Sequence, residues 1–421
     1  MIEPFRAGRD EMGTQRWLVI AGLVLTAGLT AGLAACGGGG SGDGGDGGEP
    51  GPVKIIGTAE TVFDWTTDRC ESEDIPDLPA RVFRDSNGKV QLIATHFINR
   101  RMIGDDLESV ERDCSVIMGS DQDPDPARYN DREWINATYT LDGETVFALI
   151  HNEYTGVAHP GQCPSGIYVN CWYNSITMAV SYDSGATYSH AEAPGHLVAS
   201  VPYEYVPDAG PYGIFEGSNI FHNDKDGYFY KMLHLEEYGL QKRGACVMRT
   251  QDLASPTSWR AWDGNAFSVR FINPYAEIGY DPADHVCEPV SSDNIDKMAD
   301  NVTYNSFFKK FLLVGTANKW DPVRQEEVFG FYYSLSDDLV HWSERQLIME
   351  CELWWTNDNS VDRLGYPVLI DPADTSRNFS NTGQRSYLYY TRWNKNTDLD
   401  RDLERIQIEF TKQPASVNGG I

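Results

Sequence analysis

From Val53 onward the chain is a succession of short β-rich runs broken by Asp, Asn, Gly and Pro, with almost no apolar pattern at the helical period. Runs 80–83 and 90–94 flank Asn87-Gly88, runs 134–139 and 146–150 flank Asp142-Gly143, and runs 219–221 and 228–232 flank Asp226-Gly227. Runs 302–304 and 311–314 flank Lys309-Lys310, and run 366–370 is followed, after a longer turn, by 387–390. Asn-Gly and Asp-Gly between such runs signal hairpins, because tight two-residue turns need positive φ. Several hairpins lead into a second motif, an Asp-centred turn: 102–107, 181–188 with Tyr182 and Tyr188, 250–253 with Trp259, and 336–339 with Trp342. In the second motif the Asp side chain caps the turn while the aromatic packs between sheets. Repetition of this unit predicts an all-β fold, a five-bladed β-propeller with four antiparallel strands per blade over residues 53–413. Gly88, Gly143 and Gly227 are widely and unevenly spaced, so long inter-strand loops are expected. Run 406–410 is expected to close the ring against 53–63. A pair of β-sandwiches is the alternative architecture.

The first 52 residues read as an address. Arg6, Arg9 and Arg16 precede the apolar run 17–35, which ends in Leu33-Ala34-Ala35-Cys36. A basic segment, an apolar segment and small residues at a cleavage point make a secretory signal. The tetrad resembles a bacterial lipobox, which implies a signal peptide over 1–35 and a lipid on Cys36. The Gly-rich stretch 36–52 is a flexible tether, and 414–421 is a C-terminal tail. The expected location is the cell envelope, lipid-anchored in the outer membrane or at the cell surface. A plain membrane-spanning anchor is the alternative. Export into an oxidising compartment makes disulfides expected among the remaining cysteines. Proximity pairs Cys163 with Cys171, Cys70 with Cys114 and Cys246 with Cys287, which leaves Cys351 over.

Against 34 Lys and Arg stand 62 Asp and Glu, a net charge of −28. Such a chain repels phosphate backbones, so nucleic acid is not an expected partner. With no CxxC or HExxH and with histidines scattered at no regular spacing, no metal centre and no cofactor are expected. The oxygen-rich run 121–125 is the one candidate for a structural Ca²⁺. A monomer is expected.

In a propeller the innermost strands converge on one axis, so acids just before them face a shared cavity. Asp74 and Asp77, Asp131 and Glu133, Glu216, Asp300 and Asp362 hold those positions. Glu216-Gly217-Ser218, followed by the run 220–232 with its Asp-Gly turn, resembles the catalytic-acid stretch of glycoside hydrolase family 43. The Ser-Asp-Asp-Leu and Trp segment at 336–342 is similar to blade-closing segments of families 43 and 32. That resemblance implies glycan hydrolysis on a carbohydrate substrate, with Glu216 as general acid, Asp77 as base or nucleophile and Asp131 as modulator. Burial and the charge of Asp131 are expected to raise the Glu216 carboxyl so that it keeps its proton near neutral pH. Arg81, Arg132, Glu153, Tyr154, Asn219, Tyr304 and Tyr366 are the candidates for holding substrate. Trp172-Tyr173 and Trp354-Trp355 are candidate stacking platforms for sugar rings.

Two other classes stay open. Run 181–188 matches the structural Asp-box of sialidases, and a sialidase-like exoglycosidase would need three arginines, Arg81, Arg132 and either Arg270 or Arg324, with Glu153-Tyr154 or Tyr366 on the nucleophile side. A non-catalytic propeller that binds glycan or protein at the surface is the rival. In the bland alternative, each acid caps a turn or pairs with Arg81, Arg132 or Arg363.

Overall fold

The structure, a computed structural model, describes residues 49–356 and 360–413. The signal segment, Cys36 and most of the tether lie outside the described residues, as does the tail. The described chain is almost wholly β, with α-helix confined to two single turns, Trp65–Asp68 and Ser292–Ile295. No helix among the described residues is long and apolar enough to cross a membrane.

Each expected hairpin is present within a larger antiparallel meander. The first runs Arg81–Arg84, Val90–Ile93, Asn99–Gly104 and Glu111–Met118, a four-stranded sheet in chain order. The second is led by Arg132–Thr140, the third by Tyr212–Gly217, the fourth by Asn301–Asn305 and the fifth by Arg363–Ile370. The fifth is completed from the other end of the chain. Lys54–Phe63 pairs antiparallel with Arg401–Glu409, setting Ile55 against Ile408. Glu49–Pro50, expected as tether, pairs with Lys412–Gln413.

The sheets are not all separate, as the sequence reading had them. The second and third meanders merge into one 11-stranded sheet, because Tyr212 and Gly213 pair in parallel with Tyr173 and Asn174. Gly213 permits that approach. Its φ is +111°, and a Cβ there would lie 2.2 Å from the Asn174 carbonyl oxygen. The third lead strand also begins earlier than expected. Run 219–221 is only its short continuation, Phe221–Asn223, beyond a break in register.

Apolar side chains alternate along these strands and are buried between successive meanders. Phe83 and Ile93 pack with Ile135 and Ala148, and Met232 and Val247 pack with Val302 and Leu313. Leu312 and Phe331 pack with Leu388 and Ile408. Val82 and Leu92 of the first meander then share a cluster with Val368 and Tyr389 of the fifth. The packing therefore returns to its start, and the lead strands are turned toward one another.

The Asp-box works as a staple. Asp183 accepts from the Ser181 hydroxyl at 2.7 Å, the Thr187 amide at 2.9 Å and the Thr187 hydroxyl at 2.6 Å. Asp338 repeats the device, accepting from the amides of Val340 and His341. Asp183→Ala is expected to cost about 1–2 kcal/mol in a denaturant melt, since it removes three acceptor contacts at a partly solvated turn.

The three expected disulfides are formed: Cys70–Cys114, Cys163–Cys171 and Cys246–Cys287. Cys351 is free, and burial pushes its thiol up to about 12, which leaves it an inert protonated thiol at neutral pH.

Candidate functional site

Three of the lead strands carry a bulge where they approach one another. In the third, Ile214 pairs with Leu235 and Gly217 with Leu233, so Phe215 and Glu216 together oppose His234. In the fifth, Tyr366 and Pro367 oppose Tyr390, and Tyr366 takes a φ of 57°. In the second, Asn136 is the extra residue between Ile135 and Ala137. A bulge re-aims the side chains that a regular pleat would send to alternate faces. Here Glu216 and Tyr366 are aimed into one cavity of ≈ 30 Å³, shared with His234, Lys297, Asp300, Thr316, Trp354 and Trp355. Asn136 ties the floor together. Its carbonyl accepts from Arg81 Nε, and its side-chain oxygen accepts from Lys231 Nζ at 2.5 Å and the Gly217 amide at 3.2 Å. Arg81 also donates to the Gly217 carbonyl at 2.7 Å.

The two carboxyls of the cavity are driven apart. Burial works to raise Glu216, yet contact with His234 (Nδ1 to Oε1, 3.8 Å) and the charges of His234 and His151 hold it down to about 2. Burial, then the negative charge of Glu216, pushes Asp300 up to about 7, against the Thr316 amide and Arg81, which favour its anion. His234 also touches Glu236 at 2.9 Å. Burial disfavours its cation, but between these two carboxylates it is raised above the usual histidine range. The site therefore presents one ionised carboxylate and one carboxyl that keeps its proton up to neutral pH. That divergence is what acid–base chemistry requires of a pair.

This reverses the sequence expectation for Glu216. Its neighbour is a histidine rather than Asp131, so its carboxyl is lowered instead of raised. Asp131 is buried elsewhere, accepting from the Thr155 amide at 3.0 Å and meeting His159 Nε2 at 2.9 Å. Asp77 is paired with Arg401 and lies 3.8 Å from His96. Tyr366 is raised well above its usual range by burial first and then by Asp77 and Glu216, so Asp77 lies near Tyr366 without joining the cavity lining.

The candidate substrate-binding residues divide in the same way. Tyr366 lines the cavity and Arg81 lies beneath it. Glu153 accepts from the Tyr168 and Thr155 hydroxyls. Tyr154 is in the core, its hydroxyl donating to the Pro124 carbonyl at 2.9 Å. Asn219 is spent clamping two lead strands, donating to the Val302 carbonyl and accepting from the Val302 amide. Arg132 lies over Phe97. Tyr304 lines a different cavity of ≈ 390 Å³ with Tyr139, Phe221 and Arg377. Of the two aromatic pairs, Trp354 and Trp355 reach the Glu216 cavity, while Trp172 packs edge-on to Phe215 and Tyr173 is core. The sialidase arginines are tied to separate partners: Arg270 to Glu277, and Arg324 to Glu326 and Glu350.

Among the lining residues, Asp300 carries a sequence signal only as the acid before the fourth lead strand, and His234 and Lys297 were missed. One clue stood in the sequence. His234 and Glu236 are polar residues at strand spacing, alternating with Leu233 and Leu235, a pattern that marks one special face.

No protein-family model matches the chain, and no curated protein matches it. Solved structures show distant likeness. An α-L-arabinanase of Cellvibrio cellulosa complexed with arabinohexaose is 12% identical over 78% of this chain and 90% of its own, with a TM-score of 0.41. The endo-arabinase from Bacteroides thetaiotaomicron is 11% identical over 85% and 99%, with a TM-score of 0.41. A structure from work on the GH130 mannoside phosphorylases, and on glycoside hydrolases that target β-1,2 mannosidic linkages in Candida mannan, is 11% identical over 86% and 95%, with a TM-score of 0.44. At that distance the chemistry of the site has to come from its own residues.

Proposed function

We propose that the chain is a five-bladed β-propeller that hydrolyses a glycan, with Asp300 as general acid and Glu216 as the opposing carboxylate. One observation carries this reading: Glu216 and Asp300 line the same cavity, where the His234 contact holds Glu216 ionised and burial beside that charge raises Asp300. Asp300 protonates the glycosidic oxygen as the bond to the anomeric carbon breaks. Glu216 either activates water on the opposite face of the sugar or attacks the anomeric carbon itself. His234, whose cation Glu236 favours, keeps Glu216 ionised, and the buried Arg81 adds positive charge near both carboxyls. A cavity of ≈ 30 Å³ holds a water or two, so the sugar lies across its mouth, with Trp354 and Trp355 as the stacking surface. The Leu33-Ala34-Ala35-Cys36 tetrad and the three disulfides support a lipid-anchored place in the cell envelope.

A panel of chromogenic glycosides and plant and microbial polysaccharides tests the activity. The rate is expected to fall as pH rises through about 7, where Asp300 loses its proton, and Glu216→Gln is expected to remove it. Loss of the Glu216 charge also lowers His234, readable as a downward shift of its imidazole titration by NMR. Turnover that survives in Glu216→Gln sinks the assignment.

The small cavity favours a second reading, a non-catalytic propeller that binds glycan on its rim. Pockets that engulf a ligand run to about 300–1,000 Å³. Saturable binding on a glycan array with no product released from any bound glycan would select it.

A further inference from the structure

A second cluster lies apart from the Glu216 cavity. Glu133 is fully buried, and neither of its carboxylate oxygens has a hydrogen-bond partner. His190 and His196 stack at a centroid distance of 4.3 Å, and His190 Nε2 faces Glu133 Oε2 at 3.8 Å. Backbone carbonyls fix the proton on each ring. His196 Nε2 lies 3.0 Å from the Tyr129 carbonyl, and His190 Nδ1 lies 2.6 Å from the Ala191 carbonyl. A carbonyl only accepts, so those nitrogens carry hydrogen. The lone pairs are left on His196 Nδ1, which is buried without a partner, and on His190 Nε2. The lone pair of His190 Nε2 therefore meets a carboxylate oxygen that no donor satisfies, a gap that a cation or a proton would fill.

We propose that Glu133, His190 and His196 bind one divalent first-row transition ion of the zinc type, with Asp121 as a fourth ligand at the rim. One ligand atom from each of the first three lies within 4.8 Å of the others, and Asp121 Oδ2 is 3.9 Å from His190 Nε2. Ligand atoms about 2.0–2.1 Å from a tetrahedral ion stand about 3.3 Å apart, and each imidazole must hold the ion in its own plane, so closure requires the stacked rings, now 21° apart, to rotate against each other. Two imidazoles with carboxylates suit zinc, iron or nickel, whereas calcium takes oxygen ligands alone. Carbonyls holding the outer imidazole N–H groups are the usual supports of metal-binding histidines. The sequence reading missed the centre because the fold, not spacing along the chain, brings these histidines to Glu133. Of the run 121–125 it draws in only Asp121.

The test uses the full chain stripped with a chelator and titrated with Co²⁺, then with Zn²⁺ in competition with a chromophoric chelator. One equivalent of each is expected to bind, with visible cobalt absorption of a four-coordinate nitrogen–oxygen site and a rise in thermal midpoint. His190→Ala/His196→Ala is expected to weaken Zn²⁺ by roughly 100-fold or more, at or beyond the upper end of what losing an outer-shell partner costs. Glu133→Gln, nearly isosteric, gives a second variant should the first fail to fold, and Cys351→Ser is expected to bind as the parent does. Absence of stoichiometric binding by the stripped parent, or unchanged affinity in folded Glu133→Gln, overturns the proposal and leaves a shared proton as the cation between these groups.

Discussion

Asp300→Asn is expected to lower glycan turnover by about 10²–10⁴-fold, the usual contribution of a positioned general acid, while making the protein more stable in alkali. Asparagine keeps the shape and still accepts from the Thr316 amide, which lies 3.3 Å from Asp300 Oδ2. It has no proton to give, so the leaving oxygen departs unprotonated. The stability change has a definite sign. The folded carboxyl sits at about 7 against an ordinary value of 3.8, so the folded state holds the proton more tightly than the unfolded chain does. Parent stability therefore declines as pH rises from about 4 through 7, and asparagine is spared that decline. Below pH 4 the two proteins should melt alike. At pH 9 the variant should be ahead by something on the order of 2–4 kcal/mol. Denaturant melts at pH 4 and pH 9, beside rates on the best substrate, read both effects. A variant that keeps its rate, or that gains nothing in alkali, removes Asp300 from the role of acid.

The second large effect concerns the covalent frame. Replacing Cys246 and Cys287 by alanine is expected to cost about 4 kcal/mol on the chain-entropy account, since that bond closes a separation of 41 residues. Cys70–Cys114, with a separation of 44, should cost as much, and Cys163–Cys171, with 8, about 2–3 kcal/mol. Cys246 and Cys287 are also buried within the core between the second and third meanders, so alanine is preferred over serine, whose hydroxyl would be left without a partner. Equilibrium unfolding in guanidinium at constant slope measures the three differences. An inverted order, with the short loop dearest, would show that native packing rather than loop closure sets the contribution.

Much of the architecture was legible because it is local. An Asn-Gly or Asp-Gly turn between β-rich runs specifies a hairpin within about ten residues, and the hairpins at 88, 143 and 227 stand where those turns put them. The Asp-box at 181–188 is a set of contacts within five residues of one aspartate. The cysteine pairs were found by proximity because consecutive strands of a meander are neighbours in space. The site was less legible. Glu216 was singled out, but its protonation state was read backwards, since the partner that decides it, His234, opposes it across a bulge. Asp131 and Asp77 stood at the right places relative to their strands and are occupied by His159 and Arg401.

The sequence alone therefore determined the strand rhythm and the capped turns, which follow from short-range turn chemistry and strand period; the disulfide pairs came from proximity along the chain, and the closing of the last sheet by the first long strand joins opposite ends of the described chain and came from the expectation of a ring. Only the tertiary structure decided which acids meet. A pleat alternates faces with a period of two, and one extra residue at each of Asn136, Phe215-Glu216 and Tyr366-Pro367 changes where the following side chains point. Burial and contact between residues far apart in the chain then set Asp300 against Glu216 and Glu133 against two histidines, and no spacing along the chain encodes those meetings.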